Sequence, residues 1–416
     1  MICLRIELRL FVGSEKYKCG DFIFFSSNLY NVLGSAYLVE EIFQKFKDWI
    51  DNRHEYAKEW KERTNRKIIG YFCTYVPEEI LYAADILHVR ILGSHEPPTV
   101  TEPYIFAMFC HLCRDCLAQG LKGKFDYLDG IVEGQACLHL RQAFNAWRLH
   151  IPVDYAYYIY VPHSVQNPHA TPYLAQELAK FKHSLEEWIG RKVTDSDLDR
   201  GIRTMNRNRE LMRKIYEYRK LDNPKITGLE AMEMVLSSQM VDKEEHSKLV
   251  EQLLRELPNR KLNRNPGARL MIIGSEDDDR IFMQNVENLG ATFVIDEHCT
   301  GSRYLWNNVS PSEDRLGAIA ERYIERVPCP SKDWPEFTRV KHVVNLAQEF
   351  KAQGALVIQN KFCDPHGIEI PPLKEALKSI GVPIYPLEFD VTVPWGQFRT
   401  RVEAFLETLT GLEDLF

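Results

Sequence analysis

The sequence has no net positive charge, no long apolar runs and few cysteines. Each of these features excludes a class of protein. Its 416 residues carry a net charge of −7, so there is no electrostatic reason to expect a nucleic-acid or anionic-membrane partner. No apolar run reaches the roughly 20 residues that a membrane-spanning helix needs. Ten cysteines are too few for a secreted disulfide framework. The composition therefore predicts a cytoplasmic protein with reduced thiols.

Two common nucleotide-binding motifs are also missing. Neither GxGxxG nor GxxxxGK followed by Ser or Thr occurs, so the sequence carries no dinucleotide fingerprint and no P-loop. We therefore expect that this chain does not hydrolyse nucleotide by itself. Residues 1–37 mix apolar and charged residues without the apolar core of a signal peptide. We interpret them as an N-terminal extension with no assigned role.

Alternating strand-like and helix-like segments predict an α/β fold with two doubly wound parallel-sheet lobes joined by a helical segment. The first lobe is predicted at residues 38–169, the helical bridge at 170–257 and the second lobe at 258–416. The predicted strands are 67–73, 89–92, 127–133, 153–161, 269–274, 291–296, 355–359 and 382–388. Predicted helices include 103–121, 138–149 and a continuous segment at 228–257.

Three cysteines lie where such sheets hold ligands. Cys137 and Cys363 each follow a predicted strand, at equivalent places in the two lobes. Because ligands gather beyond the carboxyl ends of strands in open α/β sheets, this pair suggests a cofactor held between the lobes. Cys110, on the preceding segment, brings the count to three. That is one short of the four thiolates that usually hold an iron–sulfur cluster.

Other cysteines compete for the missing position. Cys73 and Cys299 also follow predicted strands and could approach the same crevice. Cys113 and Cys116 give their segment the look of a zinc or ferredoxin motif, but nothing nearby supplies the second half of a four-cysteine site. Buried free cysteine is often only a small hydrophobe. Cys329, in a Pro-flanked turn, is interpreted as structural.

Two acidic segments follow strands in the second lobe. Glu297 and His298 are candidate proton-transfer residues, since Glu and His are the usual groups for that chemistry, and a solvated loop is the alternative. The run of four acids at 276–279 is unsuited to cradling a phosphate. We interpret it as negative charge at a helix N-terminus.

Six segments, in an order kept from about residue 40 to 412, resemble the motifs of one known family. They are Gly70–Ala84, Phe109–Asp115, Phe125–Gly130, Asp296–Arg303, Lys361–Asp364 and Gln397–Phe405. The family is that of the benzoyl-CoA reductases and the 2-hydroxyacyl-CoA dehydratase D-components. This chain departs from it at Asp85 and His88, where the family usually has Gly and Pro, and at Leu138, where Asp is common.

The resemblance implies a 4Fe-4S cluster held by three cysteines, with one iron open to a further ligand. Cys110, Cys137 and Cys363 fall on the three family ligand positions. Cys113 and Cys116 then become neighbours of the cluster rather than ligands. Glu297 and His298 remain the candidates for protonating a substrate.

Within the family, Phe125–Gly130 and Gly190–Asp195 look most like a subunit of an ATP-dependent benzoyl-CoA reductase. Such an enzyme reduces the aromatic ring of benzoyl-CoA to a cyclic dienoyl-CoA. The implied partners are a homologous cluster-bearing subunit, two ATP-hydrolysing subunits with a bridging 4Fe-4S cluster, and ferredoxin. A radical 2-hydroxyacyl-CoA dehydratase subunit is the second hypothesis, and a non-catalytic iron–sulfur scaffold is the third.

Overall fold

The computed structural model describes residues 27–391 and 394–410. Most of the predicted N-terminal extension, including Cys3 and Cys19, lies outside these residues. Within the described ranges, no helix combines the length and the apolar character that crossing a membrane requires.

Eight strands in the described residues form two four-stranded parallel sheets, which confirms the predicted α/β fold with two doubly wound lobes. The strands of the first sheet are β1 (Ile68–Tyr71), β2 (Leu87–Arg90), β3 (Gly130–Gly134) and β4 (Tyr155–Ile159). Those of the second are β5 (Ala268–Gly274), β6 (Ala291–Glu297), β7 (Gly354–Asn360) and β8 (Ile384–Phe389). Buried apolar runs bounded by turn residues made all eight strands predictable to within a few residues.

Both sheets have the same topology. The spatial orders are β2-β1-β3-β4 and β6-β5-β7-β8, with every pairing parallel. The chain moves outward from β1 to β2 on one side and from β3 to β4 on the other. The connections after β1 and β3 therefore diverge and leave a crevice at the carboxyl ends of these strands. β5 and β7 form an equivalent crevice in the second sheet.

Fifteen α-helices surround the two sheets within the described residues. They are α1 (Ser27–Asp51), α2 (Arg53–Thr64), α3 (Glu78–Ala83), α4 (His111–Leu121), α5 (Leu138–His150), α6 (Ala170–Ile189), α7 (Asp195–Lys220), α8 (Gly228–Ser238), α9 (Lys243–Glu256), α10 (Arg280–Asn288), α11 (Ser302–Leu305), α12 (Arg315–Glu325), α13 (Thr338–Glu349), α14 (Asp364–Ser379) and α15 (Trp395–Thr410).

Two helix boundaries differ from the predictions. The continuous helix predicted at 228–257 is two helices, because Asp242 caps α9 by accepting hydrogen bonds from the backbone N–H groups of Glu244 and Glu245. The helix predicted at 103–121 begins only at His111, after a series of turns. Cys110 therefore lies at the N-cap of α4 rather than inside a helix.

Each sheet has its own hydrophobic core, and the two cores exchange helices across the predicted lobe boundaries. The core on β5–β8 includes side chains of α1, α8 and α9. The core on β1–β4 includes side chains of α6 and α12. This interleaving ties the two sheets together, and the predicted division at residues 169 and 257 stays a prediction.

Candidate functional site

Cys110, Cys137 and Cys363 each lie at the N-cap of a helix. The helices are α4, α5 and α14, which have 11, 13 and 16 residues. A helix N-terminus carries unpaired N–H groups and a partial positive charge, so it stabilises a thiolate or another anion. The backbone N–H of Leu140 in the first turn of α5 donates to Cys137 Sγ at 3.5 Å. Three helix N-termini thus supply the electrostatic conditions for a negatively charged thiolate-bound group.

The three thiols line one cavity of about 210 Å³. Cys110 and Cys137 come from the first sheet's connections and Cys363 comes from the second sheet's, so the cavity lies between the two crevices. Four further cysteines also line it: Cys73, Cys113, Cys299 and Cys329. The exception among the eight described cysteines is Cys116, whose thiol donates to the carbonyl oxygen of Ile91 at 3.4 Å. The structure therefore gathers the predicted ligands together with several of their competitors.

Four of the thiols, those of Cys110, Cys113, Cys137 and Cys363, shift one another's pKa values. A hydrogen bond with Cys113, together with one to Cys363, holds the pKa of Cys110 well below its usual value. A bond with Cys113 also lowers the pKa of Cys137. The bond to Cys110 raises the pKa of Cys363, whereas burial raises the pKa of Cys113. Thiolate character is therefore concentrated on Cys110 and Cys137.

Two histidines contact the predicted ligands directly. The backbone N–H of Cys110 donates to His139 Nδ1 at 3.1 Å. His366 Nδ1 lies 3.4 Å from Cys363 Sγ, and its Nε2 lies 3.4 Å from a guanidinium nitrogen of Arg303. Hydrogen bonds near ligand sulfurs tune a metal centre and orient its ligands. Sequence patterns alone gave no signal for either histidine.

Glu297 and His298 lie beside the cavity and are not among the residues that line it. Glu297 is fully buried and accepts hydrogen bonds from Arg303 at 2.7 and 2.8 Å and from Arg339 Nε at 2.7 Å. Burial opposes its ionisation, but the charges of these two arginines hold its pKa well below the usual value. His298 is buried, which lowers its pKa to about 4. Their catalytic role stays a prediction. Glu297 is linked to the cavity through Arg303, which contacts His366 and donates to Cys299 Sγ at 3.6 Å.

The structure adds charged and polar residues that the sequence patterns did not single out. Arg90, Ser275 and Glu276 line the cavity and are buried. Arg90 donates from Nε to the carbonyl oxygen of Phe72 at 3.0 Å and from Nη1 to Gln239 Oε1 at 3.1 Å. Glu276 begins the acidic run that we interpreted as helix N-terminal charge. The end of the run is at a helix N-terminus, as interpreted, because Asp279 caps α10 by accepting a hydrogen bond from the backbone N–H of Phe282 at 2.9 Å. Its first residue, Glu276, also lines the cavity.

The donor set fits a thiolate-bound cluster better than a single ion. Among the described residues, no three Cys, His, Asp or Glu side chains are arranged to hold one metal ion. A four-iron cluster would take each thiolate on a different iron atom, and soft sulfur donors suit iron. Thiols on three separate helix N-termini, spread around one cavity, meet that requirement.

Fold and site together define a class: a parallel α/β protein with two sheets of the same topology and a thiol-lined cavity at the carboxyl ends of their strands. The family model described as 2-hydroxyglutaryl-CoA dehydratase, D-component, matches residues 73–409. This chain belongs to that family.

Three curated relatives match most of the chain. It is 26% identical to the (R)-phenyllactyl-CoA dehydratase beta subunit of Clostridium sporogenes, over 89% of this chain and 99% of that protein. It is 26% identical to one of the benzoyl-CoA reductase subunits of Thauera aromatica, over 80% of this chain and 88% of that protein. It is 28% identical to the beta subunit of (R)-2-hydroxyglutaryl-CoA dehydratase of Acidaminococcus fermentans, over 83% and 93%. The family resemblance is confirmed, and the relatives are enzyme subunits of both reaction types.

Proposed function

We propose that this chain is a cluster-bearing, substrate-binding subunit of an enzyme that acts on acyl-CoA thioesters. Cys110, Cys137 and Cys363 would hold a 4Fe-4S cluster in the cavity between the sheets. The observation that carries the proposal is the presence of these three thiols, each at a helix N-terminus, around one cavity. A bound cluster with one open iron would supply single electrons at low potential to the acyl group.

The chain's own residues would orient the cysteine ligands and shield the acyl group from water. His139 and His366 contact the ligand segments at Cys110 and Cys363, which orients the thiolates. Arg303, which is itself paired with the buried Glu297, contacts His366 and helps to fix its ring. The apolar side chains and thiols of the cavity would exclude water from a reactive substrate radical.

The reaction that we propose first is reduction of the aromatic ring of benzoyl-CoA to a cyclic dienoyl-CoA. Its support is the likeness to the benzoyl-CoA reductase protein of Thauera aromatica. Radical dehydration of a 2-hydroxyacyl-CoA is the second candidate. The observation in its favour is that this chain matches the phenyllactyl-CoA dehydratase beta subunit at the same identity and over nearly all of that protein.

A homologous cluster-bearing subunit is the partner that we propose for the rim of the cavity. Phe106, Met108 and Leu138, which lie on the segments next to Cys110 and Cys137, are 74%, 65% and 59% exposed. Phe106 packs edge-on against Phe109, whose ring in turn lies 4.7 Å from that of His139 in the cavity lining. Apolar side chains this exposed near a site mark an interaction surface. Two ATP-hydrolysing subunits with a bridging cluster, supplied by ferredoxin, would deliver the electrons, in line with the lack of a nucleotide motif in this chain.

Anaerobic purification of the complex tests the cluster assignment. Iron and sulfide analysis should find one 4Fe-4S cluster in this subunit, and Cys110→Ala, Cys137→Ala and Cys363→Ala should each lose it. Cys116→Ala is the matched control, because Cys116 is buried nearby but does not line the cavity. Full cluster content in all three variants would contradict the ligand assignment.

Product analysis separates the candidate reactions. Reduced complex given benzoyl-CoA should release a cyclic dienoyl-CoA, whereas a dehydratase should convert a 2-hydroxyacyl-CoA to an enoyl-CoA. A chain that holds the cluster but supports neither conversion with its partners would be the non-catalytic scaffold of our third hypothesis.

A further inference from the structure

The loop after β5 carries three buried polar atoms that have no hydrogen-bond partner among the described residues. They are Ser275 Oγ, Glu276 Oε1 and Asp277 Oδ2. Leaving a buried polar atom unpaired costs about 1–3 kcal/mol, so a fold rarely retains several of them in one loop without a ligand. Ser275 and Glu276 line the cavity. The unpaired hydroxyl and carboxyl therefore face the space in which a substrate would be bound.

The backbone fixes Glu276 beside the turn that carries Cys363. Asn360 Nδ2 donates to the carbonyl oxygen of Glu276 at 3.2 Å. The carbonyl oxygen of Asn360 accepts from the backbone N–H of Cys363 at 2.9 Å. Asn360 thus connects both segments across the crevice between β5 and β7. A group bound in this crevice meets the carboxyl and the thiol together.

The surroundings of Glu276 favour the protonated form of its carboxyl. Burial, followed by the charge of Asp278, raises its pKa well above the usual value. Asp277 and Cys299 act in the same direction, and Arg90 is the group that opposes them. The side chain makes no hydrogen bond to Arg90, whose guanidinium donates to Phe72 and Gln239 instead. The raised pKa thus favours the acid form of Glu276, which is the form that can donate a proton.

Other acids and bases of the cavity are less suited to this task. His139 and His366 direct ring nitrogens at the segments of Cys110 and Cys363. Asp364 is exposed to solvent. Glu297, outside the cavity lining, has both oxygens engaged by arginines.

We infer that Glu276 is the proton donor to the acyl group in this cavity, an assignment that rests on the proposed function. After one electron from the reduced iron–sulfur carrier adds to the ring of the benzoyl thioester, the O–H bond of Glu276 breaks and a C–H bond forms on the ring. The carboxylate then takes a proton from solvent. A second electron and a second proton complete the two-electron, two-proton reduction to the dienoyl thioester.

The test is Glu276→Gln in the complete complex, measured with benzoyl-CoA under anaerobic conditions. General acids contribute about 10²–10⁴-fold to a rate, so kcat should fall by about 100-fold or more. Iron and sulfide content and thioester affinity should match the wild type. Glu276→Asp, which keeps an acid, should recover part of kcat with a larger solvent deuterium isotope effect. Glu233→Gln is the matched control, because Glu233 is a buried carboxyl with a pKa raised by burial and lies outside the cavity lining.

The outcomes separate this assignment from the proposed function. A Glu276→Gln complex that keeps kcat within about threefold of wild type overturns the role of Glu276 alone. If that variant loses its cluster, Glu276→Asp decides: wild-type kcat with an unchanged isotope effect also overturns the role. A wild-type complex that holds a cluster but does not reduce benzoyl-CoA overturns both the reaction and the donor.

Discussion

Replacing Glu297 by Gln should destabilise the fold rather than remove a proton donor. The carboxylate is fully buried between Arg303 and Arg339, and both arginines are buried as well. The substitution keeps the shape of the side chain and removes its charge. Two guanidinium groups then lose their shared counter-ion in a region that water does not reach.

The magnitude follows from the contacts that remain. Removing one partner of a buried ion pair costs about 3–5 kcal/mol. Arg339 also pairs with Glu369, Arg303 also donates to the carbonyl oxygen of Gly274, and the Gln amide oxygen still accepts one hydrogen bond. We therefore expect the lower end, about 3 kcal/mol off the free energy of unfolding. The exposed pair of Lys220 and Glu349 is the control, and Glu349→Gln should cost less than about 1 kcal/mol.

Urea unfolding of both variants at several pH values is the assay. The pKa of Glu297 is lowered in the folded state, so its charge stabilises the fold fully above the unfolded-state pKa of about 4.3. The difference between wild type and Glu297→Gln should be constant from about pH 7 to 5 and should shrink as pH falls further. Unchanged unfolding at pH 7 combined with lost turnover would refute this reasoning and support direct proton transfer by Glu297.

Three further changes test the partner surface, the family departure and a helix cap. Phe106→Glu on the exposed rim should weaken binding of the homologous subunit by about tenfold or more in sedimentation experiments, with cluster content unchanged. Asp85 has a left-handed backbone with a φ of 61°, and its carboxylate pairs with Arg191 and Arg200. Asp85→Ala and Asp85→Gly lose the same ion pairs, but only Gly relieves the strain of the left-handed backbone. Asp85→Ala should therefore lower thermal stability more than Asp85→Gly. Thr227→Ala removes the capping box of α8 and should cost about 1 kcal/mol in urea unfolding.

The sequence predicted the sheets well because both contain continuously buried strands, such as β1 in the first and β7 in the second, between turn residues. It did not predict the break between α8 and α9, because residues 239–242 contain neither Gly nor Pro and only the local capping by Asp242 ends the pattern. The helix predicted from residue 103 begins only at His111, after turns that the sequence pattern did not reveal. Local periodicity predicts that a helix exists more reliably than it predicts where the helix ends.

Sequence reasoning found the cysteines of the candidate site but did not find the residues whose place in the site depends on burial. Thiols after strands are unusual enough to make Cys73, Cys137, Cys299 and Cys363 candidates, and the family resemblance selects Cys137 and Cys363 among them. An acidic run such as 276–279 is ordinary on a surface, and nothing local shows that Glu276 is enclosed. Its burial depends on residues far away in the chain, among them Arg90 and Asn360, that pack around it only in the folded protein.

The two sheets have the same topology, so the side chains that their equivalent loops present to the cavity can be compared. Cys137 after β3 and Cys363 after β7 occupy equivalent places, so each sheet offers one thiol from its third strand. The equivalent loops after β1 and β5 differ, because the first presents Cys73 and the second presents Glu276. Where the first sheet has another soft sulfur, the second therefore has an acid. On the proposed function, a cluster held by the thiols would be the electron source and Glu276 would be the proton source. A substrate in the crevice of β5 and β7 would then lie between the two. A reduction that adds both electrons and protons to an acyl-CoA requires this arrangement.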